Sequence, residues 1–396
     1  MNIGLVITGF VTEPDFPSGI PQQFYRMSKG FVSQGHRVDV VVPASSDDDL
    51  EFEGIYVHRV RVRYPFMIRC LAFISFNKFK KFFYSLACGF SVCRKTRQIH
   101  KRVGLDVVQS TSYRALGFFT MMFLPVAHVL AVASYEPLLR QYERERYSLD
   151  AWLSEQYENL YYRLARNVFV QAEHMKHRLL DCLPLKDVRV IPTPFFIEVD
   201  RFDYSLYEEK LSGKSYLLFV GRLDRLKGVL VLGEALKEVF LKIPDIYAVF
   251  VGNNKRLPSG SSTCEVIVAS NEPFQERIIF IDAVPHAQLY PIIEKARLVV
   301  LPSFIEQASN TLMEALGLGK AVITTRDSGN DDFVRDGENG FLVDRGDADG
   351  LAKKIVEIWD EPLNEVSVHA ERFSRKFAPD IIIPELIEYY EEICRQ

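Results

Sequence analysis

Two acids, Glu306 and Glu314, bracket the small polar trio Ser309, Asn310 and Thr311 in FIEQASNTLMEALGLGKAVI, residues 304–323. Upstream, VGRLDRLKG (220–228) sets Arg222 and Lys227 directly after an apolar run. An arginine fork and a lysine point charge suit a leaving group whose negative charge grows as its bond breaks. Both cations fall where a helix begins, and there the helix dipole disfavours them, so stability does not account for their position. A helix starting near Ser309 would offer free backbone N–H groups to an anion. Glu306, in the loop before it, could accept from ligand hydroxyls, and Glu314 points back along the helix toward the same place.

Those residues need rigid elements behind them. Residues 298–301 read as a strand, Pro302-Ser303 breaks it, and Gly319 ends the helix before another strand at 321–324. The loop of such a strand–loop–helix–strand unit lies where a parallel sheet binds its ligand. The alternation runs through both halves of the 396 residues. Strands are expected at 3–8, 37–43, 56–62, 107–109, 129–133, 167–170 and 188–191, with a helix over 21–34. A second series begins at YLLFVGRLDRLKG and continues through 247–251, 278–281, 298–301 and 321–324. The stretch from Pro192 to Ser215 reads as a linker. The pattern predicts two doubly wound α/β domains, 1–195 and 196–375, facing a central cleft that is the default active site. The amphipathic helix within 376–396 is expected to pack back on the first domain.

Composition narrows the class. Hydrophobic residues make up 48% and charged residues 25%, as in an ordinary globular protein, and a net charge of −4 argues against a nucleic-acid partner. Six cysteines without a CxxC pair read as reduced thiols of a cytoplasmic protein. The start, MNIGLVITGF, reads as a first strand rather than a signal peptide. From Ala115 to Tyr135 no residue is fully charged, but Pro125 and His128 interrupt the run. A helix over 114–123 and a buried strand over 127–133 explain it better than a membrane span. Residues 59–102 hold twelve Lys or Arg and no acid, interleaved with seven phenylalanines from Phe66 to Phe90. The bland reading is an amphipathic helical pair with a solvated basic face. The functional one is a surface that rests on anionic lipid headgroups, which would put the protein peripherally at the inner face of the cell membrane.

In this order and spacing, VGRLDRLKG, FIEQASNTLMEALGLGKAVI and DGENGFLV (336–343) resemble the retaining family-4 glycosyltransferases of the GT-B fold. The match is strong over 217–354 and weaker before it. The resemblance implies transfer of a sugar from a nucleotide diphosphate sugar, most commonly a UDP-sugar, to a saccharide or lipid-linked acceptor held by the N-terminal domain. It implies neither metal nor cofactor. Arg222 and Lys227 would then stabilise the leaving diphosphate, Glu306 would hold the donor sugar and Glu314 the ribose. Gln307, Ala308, Ser309, Asn310 and Thr311 would line the donor loop, with Ala308-Ser309 where many members carry Phe-Gly. Gly221 is a further donor-site position. The base would lie near Val284, with Gly252 and Asn253 following the strand that ends at 251. In the first half only Gly19 stands where relatives often have Gly-Gly. Ser134 stands where they often have a His, with His128 as the alternative.

Two features are set aside. Asp47-Asp48-Asp49 read as a solvated Ser-rich loop rather than a metal motif, and His174 and His177 share a helix face without a third ligand. The alternative function is a nucleotide-sugar epimerase or a non-catalytic sugar-binding subunit of the same fold.

Overall fold

A computed structural model of the chain describes residues 1–12, 19–66, 68–70, 78–142, 148–197, 199, 201–257 and 260–396. It divides into two compact units. One comprises Met1–Arg140, Arg146–Pro194 and Phe377–Gln396, and the other Gln141–Glu145 and Phe195–Lys376.

The first unit is built on an eight-stranded sheet in the order β3-β4-β2-β1-β5-β6-β7-β8. Its strands are β1 (Asn2–Val6), β2 (Arg37–Ala44), β3 (Asp48–Phe52), β4 (Ile55–Arg61), β5 (Val107–Thr111), β6 (Ala127–Ala131), β7 (Val168–Val170) and β8 (Arg189–Val190). Every pairing is parallel except β3 with β4. β1 and β2 are rich in Val, Ile and Leu, and β1, β2 and β5 are all buried along most of their length, as strands covered on both faces must be. Helices α1 (Ile20–Ser33), α2 (Lys80–Val103), α3 (Leu149–Leu164) and the C-terminal α7 (Pro379–Cys394) belong to this unit. α7 is held by Tyr390, whose hydroxyl donates to Gln109 Oε1 on β5 and whose ring lies 5.8 Å from Phe31 of α1. Arg189 and Glu392 add an ion pair.

The second unit is a six-stranded, wholly parallel sheet in the order β11-β10-β9-β12-β13-β14. Its strands are β9 (Ser215–Val220), β10 (Ile246–Val251), β11 (Ile278–Ile281), β12 (Leu298–Leu301), β13 (Val322–Thr325) and β14 (Phe341–Val343). Among its helices are α4 (Val229–Lys242), α5 (His286–Lys295) and α6 (Asn310–Gly317). Leu217, Phe219, Leu232, Leu236, Val300, Ile323 and Leu351 form part of one buried cluster beneath α4. The chain order reverses between β9 and β12, and such a switch point opens a crevice at the strand carboxyl ends.

Several expectations change. Asp48 and Asp49 are not in a loop but open β3, an edge strand whose acids pair with cations. Asp47 binds Arg63, Asp48 binds Arg59, and Asp49 meets both Lys95 and His58. The acid-free segment 59–102 is therefore partly neutralised by acids that precede it. Of its expected helical pair one member is described, as α2, while residues 67 and 71–77, on which the other would fall, lie outside the described residues. The helix expected at 114–123 is confined to Phe118–Phe123, after a short 3-10 turn at Tyr113–Ala115. The linker contains a helical turn, Ser205–Lys210. Among the described residues no helix is long and apolar enough to cross a membrane.

That 3-10 turn follows β5 and is strained: Arg114 and Ala115 have φ of 59° and 48°. Left-handed backbone costs roughly 1–2 kcal/mol per non-glycine residue. The Arg114 N–H donates to Glu158 Oε1 of α3 at 2.8 Å, which ties the turn down. Burial pushes the Glu158 carboxyl up to about 8, with the Arg114 N–H opposing and Glu136 and Glu155 adding repulsion. An acid whose pKa rises on folding binds its proton more tightly when folded. Its contribution to stability is thus present at low pH and lost as pH climbs from 4.5 to about 8. Glu158→Gln keeps an acceptor for Arg114 and removes the charge. Thermal unfolding should show a higher Tm for this variant at pH 9 and little change at pH 5; equal shifts at both would contradict the account.

Candidate active site

The two loops that carry the cations and the first acid leave neighbouring strands. After β9 the chain passes Gly221 and Arg222, and Asp224 caps a 3-10 turn over Arg225–Lys227 by accepting from the Lys227 N–H at 3.2 Å. Gly228 then starts α4 with φ 67°, and a Cβ there would lie 1.7 Å from the Pro302 carbonyl oxygen. Only glycine lets the β9 loop approach the β12 loop so closely. The Phe304 N–H donates to the Leu226 carbonyl at 2.8 Å, which fixes the two loops in register.

This contact brings Lys227 to Glu306. Lys227 Nζ pairs with Glu306 Oε1, which also accepts from Ser303 Oγ at 3.1 Å. The pair is largely covered, with the carboxylate side chain 11% exposed. Arg222 is half exposed and its Nε lies 3.4 Å from Asp224 Oδ2, which Lys255 Nζ also approaches at 3.7 Å. Three cations and two acids thus cluster at the carboxyl ends of β9, β10 and β12. An ammonium has three donors, so Lys227 can keep Glu306 and still reach an anion. Asp224, Ser303 and Lys255 were missed from the sequence, although Asp224 stands at an N-cap position in RLDRLKG.

Beyond Glu306, Gln307 is buried, and neither polar atom of its amide has a hydrogen-bond partner among the described residues. Ala308 and Ser309 follow, and Ser309 Oγ caps α6 by accepting from Leu312 N–H at 3.4 Å. Buried Asn330 Oδ1 accepts from the Ser309 N–H at 3.4 Å. Asn310 and Thr311 form the first turn of α6 and are half-buried. Glu314, one α6 turn further on, is 2% exposed and its Oε1 lies 3.3 Å from His286 Nε2 at the start of α5. The sequence reading did not single out His286. A histidine two residues after Val284, at the first position of the helix that follows β11, was the available signal. Gly252 follows β10 with φ 144°, where a Cβ would lie 2.0 Å from the Gly221 carbonyl oxygen. The Asn253 carbonyl accepts from the Leu223 N–H at 3.0 Å, and Val284 is half-buried before α5.

Gly19 and Ser134 lie in the first unit. Gly19 precedes α1 with φ 116°, and no described residue beyond its chain neighbours lies within 4 Å of where its Cβ would be. Ser134 follows β6, and its carbonyl accepts from Ser112 Oγ at 3.1 Å and Tyr162 OH at 2.7 Å. His128 sits near the opposite end of β6, with its Nε2 3.0 Å from Ser110 Oγ and 3.2 Å from Tyr161 OH. Burial lowers its pKa to about 3, so it is a neutral structural imidazole at pH 7.

Comparison with known proteins identifies the family. Residues 17–198 match the family model Glycosyltransferase Family 4, and residues 214–361 match Glycosyl transferases group 1. The capsular polysaccharide biosynthesis glycosyltransferase CapM of Staphylococcus aureus is 26% identical over 245 residues, 59% of this chain and 63% of that one. The chain spans about half the length of the curated relatives it matches. Sucrose-phosphate synthase of Thermosynechococcus elongatus superposes with a TM-score of 0.78 at 17% identity, covering 99% of both chains. Alr3699/HepE of Anabaena, solved with UDP and glucose, gives 0.71 at 17% identity over 99% of both. With family-4 and group-1 domains in succession, each on an α/β sheet of mainly parallel strands, the chain belongs to the family-4 glycosyltransferases of the GT-B fold.

Proposed function

We propose that this glycosyltransferase moves a hexose from a UDP-sugar to a saccharide or lipid-linked acceptor, with retention at the anomeric carbon and without a metal. The observation that carries the reading is the Lys227–Glu306 pair, set beside Arg222 at the switch point between β9 and β12. In the reaction, the bond from the anomeric carbon to the diphosphate oxygen breaks and its electron pair goes to the diphosphate. The acceptor hydroxyl oxygen bonds to that carbon, and its proton passes to the released diphosphate. Arg222 and Lys227 meet the growing negative charge, so their stabilisation increases toward the transition state. Glu306 fixes the sugar through its hydroxyls while orienting Lys227. Glu314, held by His286, addresses the ribose, and the backbone around Val284, Gly252 and Asn253 addresses the base. Gln307 to Thr311 complete the donor loop, and Gly19 and Ser134 of the first unit are assigned to the nucleotide sugar as well, Gly19 through a close backbone approach to phosphate. The UDP preference is supported by the ligands of the Anabaena protein, and a polysaccharide product by the role of the staphylococcal relative.

Three measurements test this. Arg222→Ala and Lys227→Ala should each lower turnover on the order of a hundredfold, as loss of one transition-state donor can. Wild-type turnover should persist in EDTA. Near-normal rates in both variants, or an absolute need for Mn²⁺ or Mg²⁺, would refute the assignment.

The two glutamates are separable because their partners differ. By calorimetry, Glu314→Gln should weaken both UDP and the intact donor, since a charge-assisted acceptor is lost. Glu306→Gln should leave UDP affinity nearly unchanged and show its cost in turnover of the intact donor. Equal loss of UDP affinity in both variants would contradict this division of roles.

The segment 59–102 is proposed to hold the enzyme peripherally on an anionic membrane. Co-sedimentation with anionic vesicles should weaken as salt rises, and neutral vesicles should bind poorly. Equal binding to both vesicle types would remove the basis for this location.

A further inference from the structure

At the carboxyl end of β4, a cavity of about 480 Å³ lies between residues 60–65 and α2. Arg61, Arg63, Arg94 and Lys95 line it, against one acid, Asp47. Asp47 is engaged by Arg63 at 2.8 Å, and Lys95 meets Asp49 at 2.6 Å. Arg61 and Arg94 have no ion-pair partner among the described residues and are exposed. The four cations with these two acids leave two positive charges unbalanced.

The cavity is held in shape by its own wall. Ser91 of α2 is buried, and its Oγ accepts from the Arg63 N–H at 3.0 Å. Asp47 Oδ1 accepts from the Arg61 N–H at 3.0 Å, so both residues of the strand exit are fixed by their backbones. Tyr64, Pro65 and Phe90 supply an apolar side, and Phe90 stacks on Phe119 at 3.9 Å between ring centres. Phe119 stacks in turn on Phe123, which is 55% exposed. Phe66, 82% exposed, stands immediately beyond Pro65. A cationic pocket joined to an exposed aromatic path has a ligand of two characters in view. A phosphate monoester carries about −1.5 to −2 at pH 7, which matches the unbalanced charge. A free sugar phosphate would make no use of the exposed aromatics, whereas an apolar chain would cover them.

We propose that this pocket binds a terminal phosphate or diphosphate carried on an apolar chain, that is, a phosphorylated lipid. Arg61 and Arg94 grip the phosphate oxygens, and Tyr64, Phe90 and the neighbouring rings take the start of the chain. That this lipid bears the acceptor sugar rests on the transferase reading above. The binding itself does not, because it is measured without donor.

The test uses the full chain with decyl phosphate below its micelle concentration, inorganic phosphate and phosphatidylglycerol vesicles as separate probes. The variants are Arg61→Gln/Arg94→Gln in the pocket and Lys101→Gln/Arg102→Gln, which removes the same charge from the last turn of α2 outside it. The pocket double should weaken decyl phosphate about tenfold or more, as loss of hydrogen bonds to a charged group does. The outer double should stay within about twofold. Tyr64→Ala should weaken decyl phosphate and leave the weaker inorganic phosphate binding unchanged. Far-ultraviolet circular dichroism and thermal unfolding of all three should match the wild type, which confirms that they fold without reference to any donor. Equal weakening by the two doubles would mean a diffuse basic surface and would overturn the pocket. Inorganic phosphate binding as tightly as decyl phosphate would make this a free-anion site and overturn the lipid. If the pocket double loses vesicle binding while decyl phosphate binding persists, the pocket fails but the peripheral membrane reading stands.

Discussion

The contact between the loop after β9 and the loop after β12 governs the active site. Lys227 and Glu306 are 79 residues apart and belong to different crossovers, yet their charges are neutralised by each other. What makes this possible is backbone proximity. Gly228 has no side chain to strike the Pro302 carbonyl, and Phe304 donates across the same gap to Leu226. Charge follows geometry here. A partly covered ion pair is costly to leave half-made, so each residue also holds its partner's loop in place.

The parallel sheet supplies the other half of the constraint. Because β9 and β12 are neighbours at the point where chain order reverses, the loops leaving them diverge and leave a crevice between. Gly252 and Gly221 repeat the device one strand away, where backbone meets backbone at the exit of β10. Side chains that bear on ligand are thus mounted on short, hydrogen-bonded loops at the ends of buried strands. Asp224 shows the economy of this arrangement, since its carboxylate caps the turn that presents Lys227 and lies beside Arg222.

The first unit uses charge differently. The acids of β3 and its approach reach cations on β4, on the loop after it and on α2, so the basic segment is organised by an edge hairpin. His58 bridges Asp39 of β2 and Asp49 of β3, at 2.9 and 2.8 Å, and ties that edge to the sheet interior. Two of the cations left over from this pairing, Arg61 and Arg94, line one cavity together with Arg63 and Lys95.

Periodicity alone determined most of the sheet. The runs at 278–281 and 298–301 became β11 and β12 with unchanged bounds, because uninterrupted apolar residues flanked by breakers admit few alternatives. β3 escaped notice because an edge strand can carry Asp48 and Asp49 on its open side, where composition mimics a loop. Likewise Arg222, Lys227, Glu306 and Glu314 were legible as charged residues at strand–helix junctions. Their partners were not. His286 meets Glu314, Ser303 meets Glu306, and Asn330 meets Ser309, and two of these three pairs join separate elements. The sequence by itself determined where strands end and which ionisable groups stand at those ends, since both depend on local pattern. Only the tertiary structure decided which of those groups meet, because that depends on strand order and on backbone approaches that glycine permits without announcing its neighbour.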